Sequence, residues 1–142
     1  MNKDEMINTL IQRRNSLKDN IQLNKKEIAS IVDDIKNLFF YDNDFQAAHT
    51  LEDIDKKLSN AFIKLDINLS VKDSFIDRLP HIQDLCFKDL ESVYHGDPSC
   101  LNYTEIIVSY TAYYAILAYR IANVLYKLDA KIPARVIAEY AH

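Results

Sequence analysis

Asp97 follows the chain's single glycine and precedes a proline, in Tyr94-His95-Gly96-Asp97-Pro98. A carboxylate there can shape the turn that ends a helix, or it can give charge-assisted hydrogen bonds to a cationic partner. His95 has the chemistry of a general base, but a histidine so near a turn reads as a solvated surface group. His49, His81 and His142 are dispersed, and with Cys86 and Cys100 they show no metal-ligand spacing, so no zinc or other metal site is expected. Glu105 and Glu139 read as facing solvent or a helix end. Arg120 lies in apolar sequence and is expected to pair with Asp89 or Glu91, because an unpaired buried guanidinium is costly. Cys86 falls on an apolar stripe and reads as a small packed hydrophobe.

The elements that must position these groups are helices. Apolar residues recur at three- and four-residue steps nearly throughout. One segment runs from about Lys3 to Ile21, with Met6, Leu10, Leu17 and Ile21 on one side. A second runs from about Lys25 to Phe39 on a wide stripe of Ile28, Ile31, Val32, Ile35, Leu38 and Phe39. Asp42-Asn-Asp44 reads as a loop. Thr50 is a candidate cap for a third helix, with Asp53 three residues on and a stripe from Leu51 to Leu65. Ile67 to Val71 reads as an extended connector without a strand partner. A fourth helix runs from about Lys72 to Tyr94, lined by Phe75, Leu79, Ile82, Cys86, Leu90 and Val93. Pro80 should kink it or split it in two. Gly96-Asp97-Pro98 ends it, with glycine suited to a left-handed position after the last turn. A fifth region, Tyr103 to Leu128, is apolar on several faces and holds six of the nine tyrosines, so it reads as a buried helix. Ile132 to His142 begins with Pro133 in a first-turn position. It carries no stop signal, so the sequence ends within a helical pattern.

Composition narrows the classes. The 142 residues fit one domain, 1–142, and 49% hydrophobic content is enough for a core. One glycine is the informative count, because average usage of ~7% would give roughly ten. Phosphate-cradling loops and Rossmann turns need glycine and are excluded, and a turn-rich all-β fold is unfavourable. The expectation is an all-α multi-helix bundle with long amphipathic helices, one Pro-kinked helix and a buried Tyr-rich helix. A net charge of −4 argues against nucleic acid as a partner. The run Ile106 to Ala118 is too short to span a bilayer, and no signal peptide is visible, so no membrane association and a cytoplasmic setting are expected. Two cysteines without a CxxC spacing fit a reduced compartment.

Three blocks resemble the serine acetyltransferase family, in the helical part that precedes its catalytic domain. Asp89, Leu90, Val93, Asp97 and Pro98 match an Asp-Ile/Leu-x-Ala-x-x-x-Arg-Asp-Pro-Ala segment. Ala115, Ile116, Tyr119, Arg120, Ile121 and Ala122 match a Tyr-Arg-Ile-Ala-His segment. Ile132, Pro133, Arg135, Ile137, Glu139, Tyr140, Ala141 and His142 match the exit, in a variant that looks most like bacterial or protist members. The resemblance covers about the last 55 residues, and the spacing between blocks agrees. Gly96 stands where the family usually has Arg, Asn123 where it has His, and Thr111-Ala112 where Pro-Gly is common.

This resemblance implies an N-terminal helical domain placed before a left-handed β-helix of hexapeptide repeats. It implies acetyl transfer from acetyl-CoA to L-serine, giving O-acetylserine for cysteine synthesis. No catalytic residue is expected in this chain. The base belongs to the β-helix, beyond His142, so these residues alone should be inactive. The resemblance implies that this chain binds no cofactor and that acetyl-CoA is the expected co-substrate of the full-length enzyme. Asp97 is the implied serine-binding residue, facing the amino acid's ammonium, with Pro98 and Arg120 as possible supports. The resemblance also implies a homo-oligomer, a trimer or dimer of trimers, in which the Tyr-rich region could make contacts. O-acetylserine sulfhydrylase is a further implied partner, through a C-terminal tail not contained in these residues. Two alternatives stay open: a free-standing helical interaction module, and the prefix of another hexapeptide acyltransferase.

Overall fold

A computed structural model describes residues Met1 to Ala141, which leaves His142, matched at the exit block, outside the described residues. The described residues form helices and no strands: α1 (Lys3–Asn15), α2 (Lys25–Phe40), α3 (Asp44–Lys64), α4 (Leu69–Asp77), α5 (Leu79–Gly96), α6 (Tyr103–Ser109), α7 (Thr111–Lys127) and α8 (Lys131–Tyr140). The fold is an all-α bundle, as the apolar spacing predicts.

The α2–α3 hairpin forms one wall of the core. Ile28, Ile31, Val32, Ile35 and Phe39 of α2 are buried against Ile54, Leu58, Ala61 and Phe62 of α3. The helices run antiparallel, because Lys57 Nζ reaches Asp34 at 2.6 Å while Asn60, a turn further on, reaches back to Glu27 at 3.3 Å. The other wall is α7, which buries Tyr113, Leu117, Ala118, Ile121, Ala122, Val124 and Leu125 and packs on α8, α5 and α2. Each fully buried Ile, Leu or Phe stabilises this arrangement by about 1.5–3 kcal/mol. Lys72, 8% exposed, is the buried charge of this core, and its amine is neutralised by Asp55 at 3.1 Å and Asp73 at 2.9 Å.

Several boundaries differ from the expectation, each for a local reason. The third helix starts at Asp44, six residues before Thr50, because Asn43 and Gln46 form a complete capping box. Thr50 is mid-helix, and its hydroxyl donates to the Asp42 carboxylate at 2.6 Å. The segment from Ile67 is not an extended connector: the Asn68 side chain caps Ser70 N, and α4 begins at Leu69. Pro80 splits the expected fourth helix rather than bending it. Arg78 ends α4 and opens α5, and Pro80 takes the second position of α5, where a missing N–H costs nothing. The first helix stops at Asn15, short of Ile21, and Met6, Ile7, Leu10 and Leu17 are exposed among the described residues. The Tyr103–Leu128 region is two helices, broken at Tyr110, whose ψ of 105° is extended. Of its six tyrosines Tyr113 alone is fully buried, whereas Tyr103, Tyr119 and Tyr126 are exposed.

The lone glycine does not serve the role expected of it. Gly96 is the last residue of α5 and no glycine has a positive φ; the left-handed positions are Asp19, Asp66 and Asp129. After α3, Asp66 N bonds Ile63 O at 3.3 Å and Ile67 N bonds Phe62 O at 2.9 Å. After α7, Asp129 N bonds Tyr126 O at 3.0 Å and Ala130 N bonds Leu125 O at 2.9 Å. Both are Schellman caps with aspartate at the left-handed position, the one non-glycine type besides asparagine that tolerates it. Few glycines therefore do not mean few tight turns here.

Candidate functional site

Asp97 sits where α5 stops. Its N–H still bonds Val93 O at 3.2 Å, but its own backbone turns extended, φ −119° and ψ 100°. Pro98 causes this, since a proline ring excludes the helical region for the residue before it. The chain then closes a turn in which Cys100 N bonds Asp97 O at 3.1 Å.

Both carboxylate oxygens of Asp97 are held. Oδ1 accepts from the Ser99 hydroxyl at 2.6 Å and the Ser99 N–H at 3.0 Å. Oδ2 accepts from the Tyr110 hydroxyl at 2.8 Å. The Ser99 hydroxyl first, then Tyr110, then the Ser99 N–H hold the carboxyl below the usual carboxylate range, against a smaller effect of burial. The same bond pushes the Tyr110 phenol up, with burial and Cys100 adding to it. Tyr110 reaches the loop because it occupies the break between α6 and α7. Its hydroxyl is also near Glu105, with Oε1 at 3.3 Å. That carboxylate also accepts from Leu101 N at 3.3 Å, and the Glu105 N–H is capped by Asn102 at 2.9 Å, which is the helix-end position expected of it. The result is an ionised, half-buried carboxylate of fixed orientation on a short loop. Such a group can accept hydrogen bonds from an ammonium.

Of the other expected site residues, Pro98 adjoins Asp97 and Arg120 lies apart from it. Pro98 is exposed and acts through the backbone of Asp97. Arg120 is committed to Asp89, with Nε on Oδ2 and Nη2 on Oδ1, both at 2.8 Å. That is the pairing expected of it, and its fork geometry is the strong form of such a contact. Asp89 precedes Asp97 by eight residues on α5, about 12 Å along the helix axis. The hydrogen bond from Asp89 is the main reason the Arg120 guanidinium is raised. Cys86 is buried as expected, and burial, with the Asp89 charge adding, pushes its thiol up to about 12. His95 is exposed and meets Glu91 at 3.2 Å. Among the described residues no group of three or more His, Cys, Asp or Glu could hold a metal ion, and no helix is long and apolar enough to cross a membrane.

The three departures from the family pattern have visible settings. A Cβ at Gly96 would meet nothing within 4 Å, so the fold there accommodates larger residues. Thr111 and Ala112 open α7 after the Tyr110 break, which persists without the Pro-Gly pair. Asn123 lines an open groove between α7 and α8, with Tyr119 and Tyr126 on the same helix.

The serine acetyltransferase of Bacillus subtilis (strain 168) is 38% identical over 52 residues, 37% of this chain and 24% of that protein. The chain is similar to serine acetyltransferases. The Bacillus licheniformis serine acetyltransferase is 39% identical over 54 residues, covering 38% of this chain and 25% of its own length. Serine acetyltransferase 1, chloroplastic, of Arabidopsis thaliana is 31% identical over 81 residues, covering 57% of this chain and 26% of its own. The matched stretch thus spans about a quarter of the length of these serine acetyltransferases. No family model matches the chain.

Sequence reasoning missed two partners of Asp97. Ser99 was legible, since a hydroxyl two residues after an aspartate suits a local turn. Tyr110 was not. It lies 13 residues downstream among apolar neighbours, and only the helix break brings its hydroxyl to Asp97.

Proposed function

We propose that this chain is the helical portion of a serine acetyltransferase, and that Asp97 binds the ammonium of L-serine. The similarity to serine acetyltransferases carries the reading, and the fixed carboxylate of Asp97 supports it. An amino-acid ammonium carries three donors, and a carboxylate held ionised by Ser99 and Tyr110 accepts from one without first losing a proton. In the reaction the serine hydroxyl attacks the acetyl carbonyl of acetyl-CoA, its proton passes to a base, and CoA leaves as the thiol. The base and the acetyl-CoA groove are assigned to a β-helix outside residues 1–142. Homo-oligomerisation, with Tyr119 and Tyr126 among the exposed aromatics, belongs to the same proposal.

The test is a chimera in which this chain replaces the matched stretch of the Bacillus subtilis enzyme. Serine-dependent release of CoA, greater than with homoserine or amino sugars, is the expected result. A trimeric, folded chimera that prefers another acceptor, or none, would contradict the proposal. The chain alone should release no CoA above background.

A further inference from the structure

From this geometry we infer that Tyr110 is a positioning residue for the serine site: its hydroxyl clamps the second oxygen of Asp97 and so aims the carboxylate at the substrate ammonium. The inference rests on the proposed role of Asp97. Without Tyr110, Asp97 would be tied only to Ser99, two residues away in the same exposed loop, and the carboxylate would move with that loop. Tyr110 anchors it to the body of the fold instead, because its own segment is fixed on both sides. Ile106, one turn earlier, is fully buried, and Tyr113, one turn later, is 1% exposed and donates to Cys86 O at 2.7 Å. The hydroxyl has one proton and two carboxylates nearby, at 2.8 Å for Asp97 and 3.3 Å for Glu105. The shorter contact, to Asp97, takes the proton, and Glu105 is the weaker acceptor. The break at Tyr110, an extended residue between two helices, is what turns the ring towards Asp97.

The side chains that meet the Asp97 carboxylate are Tyr110 from the α6–α7 side and Ser99 from the loop, and Glu105 and Cys100 in turn flank the Tyr110 phenol. On α5 itself are Glu91 and His95, which pair with each other. Two measurements test the inference. In the whole 142-residue chain, a carbon-detected titration of the Asp97 carboxyl should give a midpoint below that of ordinary aspartates, and Tyr110→Phe should raise it. An ordinary midpoint in the unmodified chain, or no change in the variant, overturns the clamp. In the chimera, Tyr110→Phe should raise the KM for L-serine about three- to tenfold with the KM for acetyl-CoA unchanged. In an Asp97→Asn background the same change should have no further effect, because Tyr110 acts only through that carboxylate. Additive effects, or an equal change in the acetyl-CoA KM, would make Tyr110 a structural residue only. If Asp97→Asn leaves serine kinetics untouched, the role of Asp97 fails and takes the inference with it. If Asp97→Asn raises the serine KM and Tyr110→Phe does not, the inference alone fails.

Discussion

The two ends of the bundle are held together differently. Around α2, α3, α7 and α8 a continuous core of aliphatic and Phe side chains fills the interior, and few of its contacts have a required direction. Around the end of α5 the buried cluster is three residues, Leu90, Ile106 and Tyr113. Directed bonds do the remaining work there: Arg120 on Asp89, Tyr113 on Cys86 O, Tyr110 on Asp97, and Tyr103 on Glu91 at 2.9 Å. The large core sets the fold, and the hydrogen-bonded end sets the orientation of one carboxylate. Substitutions should therefore separate stability from site geometry.

The largest effect is expected in the core. Phe62→Ala removes a fully buried ring, and chemical denaturation should show a loss of about 3–5 kcal/mol. A loss under 1 kcal/mol would mean that α2 and α3 are not packed as described. At the hydrogen-bonded end, Tyr113→Phe keeps the ring and deletes one buried bond, so the same assay should show about 0.5–1.5 kcal/mol. Smaller, and opposite in sign, are two glycine exchanges. Asp129→Gly relieves a left-handed residue and Gly96→Ala removes a flexible one from a helix end with open space, and each should stabilise by up to about 1 kcal/mol. Destabilisation by either would contradict the backbone assigned there.

Acid should also distinguish the two ends. The carboxyl of Asp97 is lower in the folded chain than in an unfolded one. Its stabilising contribution is therefore complete above the ordinary carboxylate range and is lost as pH falls through its lowered value. Amide signals of Ser99 and Tyr110 should shift in that window while those of Leu58 and Ile121 stay still.

The same contrast explains what the sequence could reveal. Stripes such as Ile28–Phe39 announce a helix and its buried face, because burial of periodic apolar residues is a one-dimensional signal. Arg120 was legible because a guanidinium in apolar sequence must find a carboxylate. Boundaries were lost where a side chain overrides the pattern. Asn43 with Gln46 outranked Thr50 as a cap, and aspartates took the left-handed turns normally given to glycine. Leu17 and Ile21 continue a helical stripe whose side chains are exposed among the described residues, so no burial extends the helix to them. The Asp97–Tyr110 bond was invisible because it depends on where α6 breaks, a tertiary outcome that spacing does not encode.

The serine KM of Asp97→Asn, measured beside the unmodified protein in the chimera, bears most directly on the role given to this loop. An increase of about tenfold to a hundredfold in KM, with acetyl-CoA binding unchanged, is the expected outcome. A serine KM identical to that of the unmodified chimera would show that Asp97 only shapes the turn after α5.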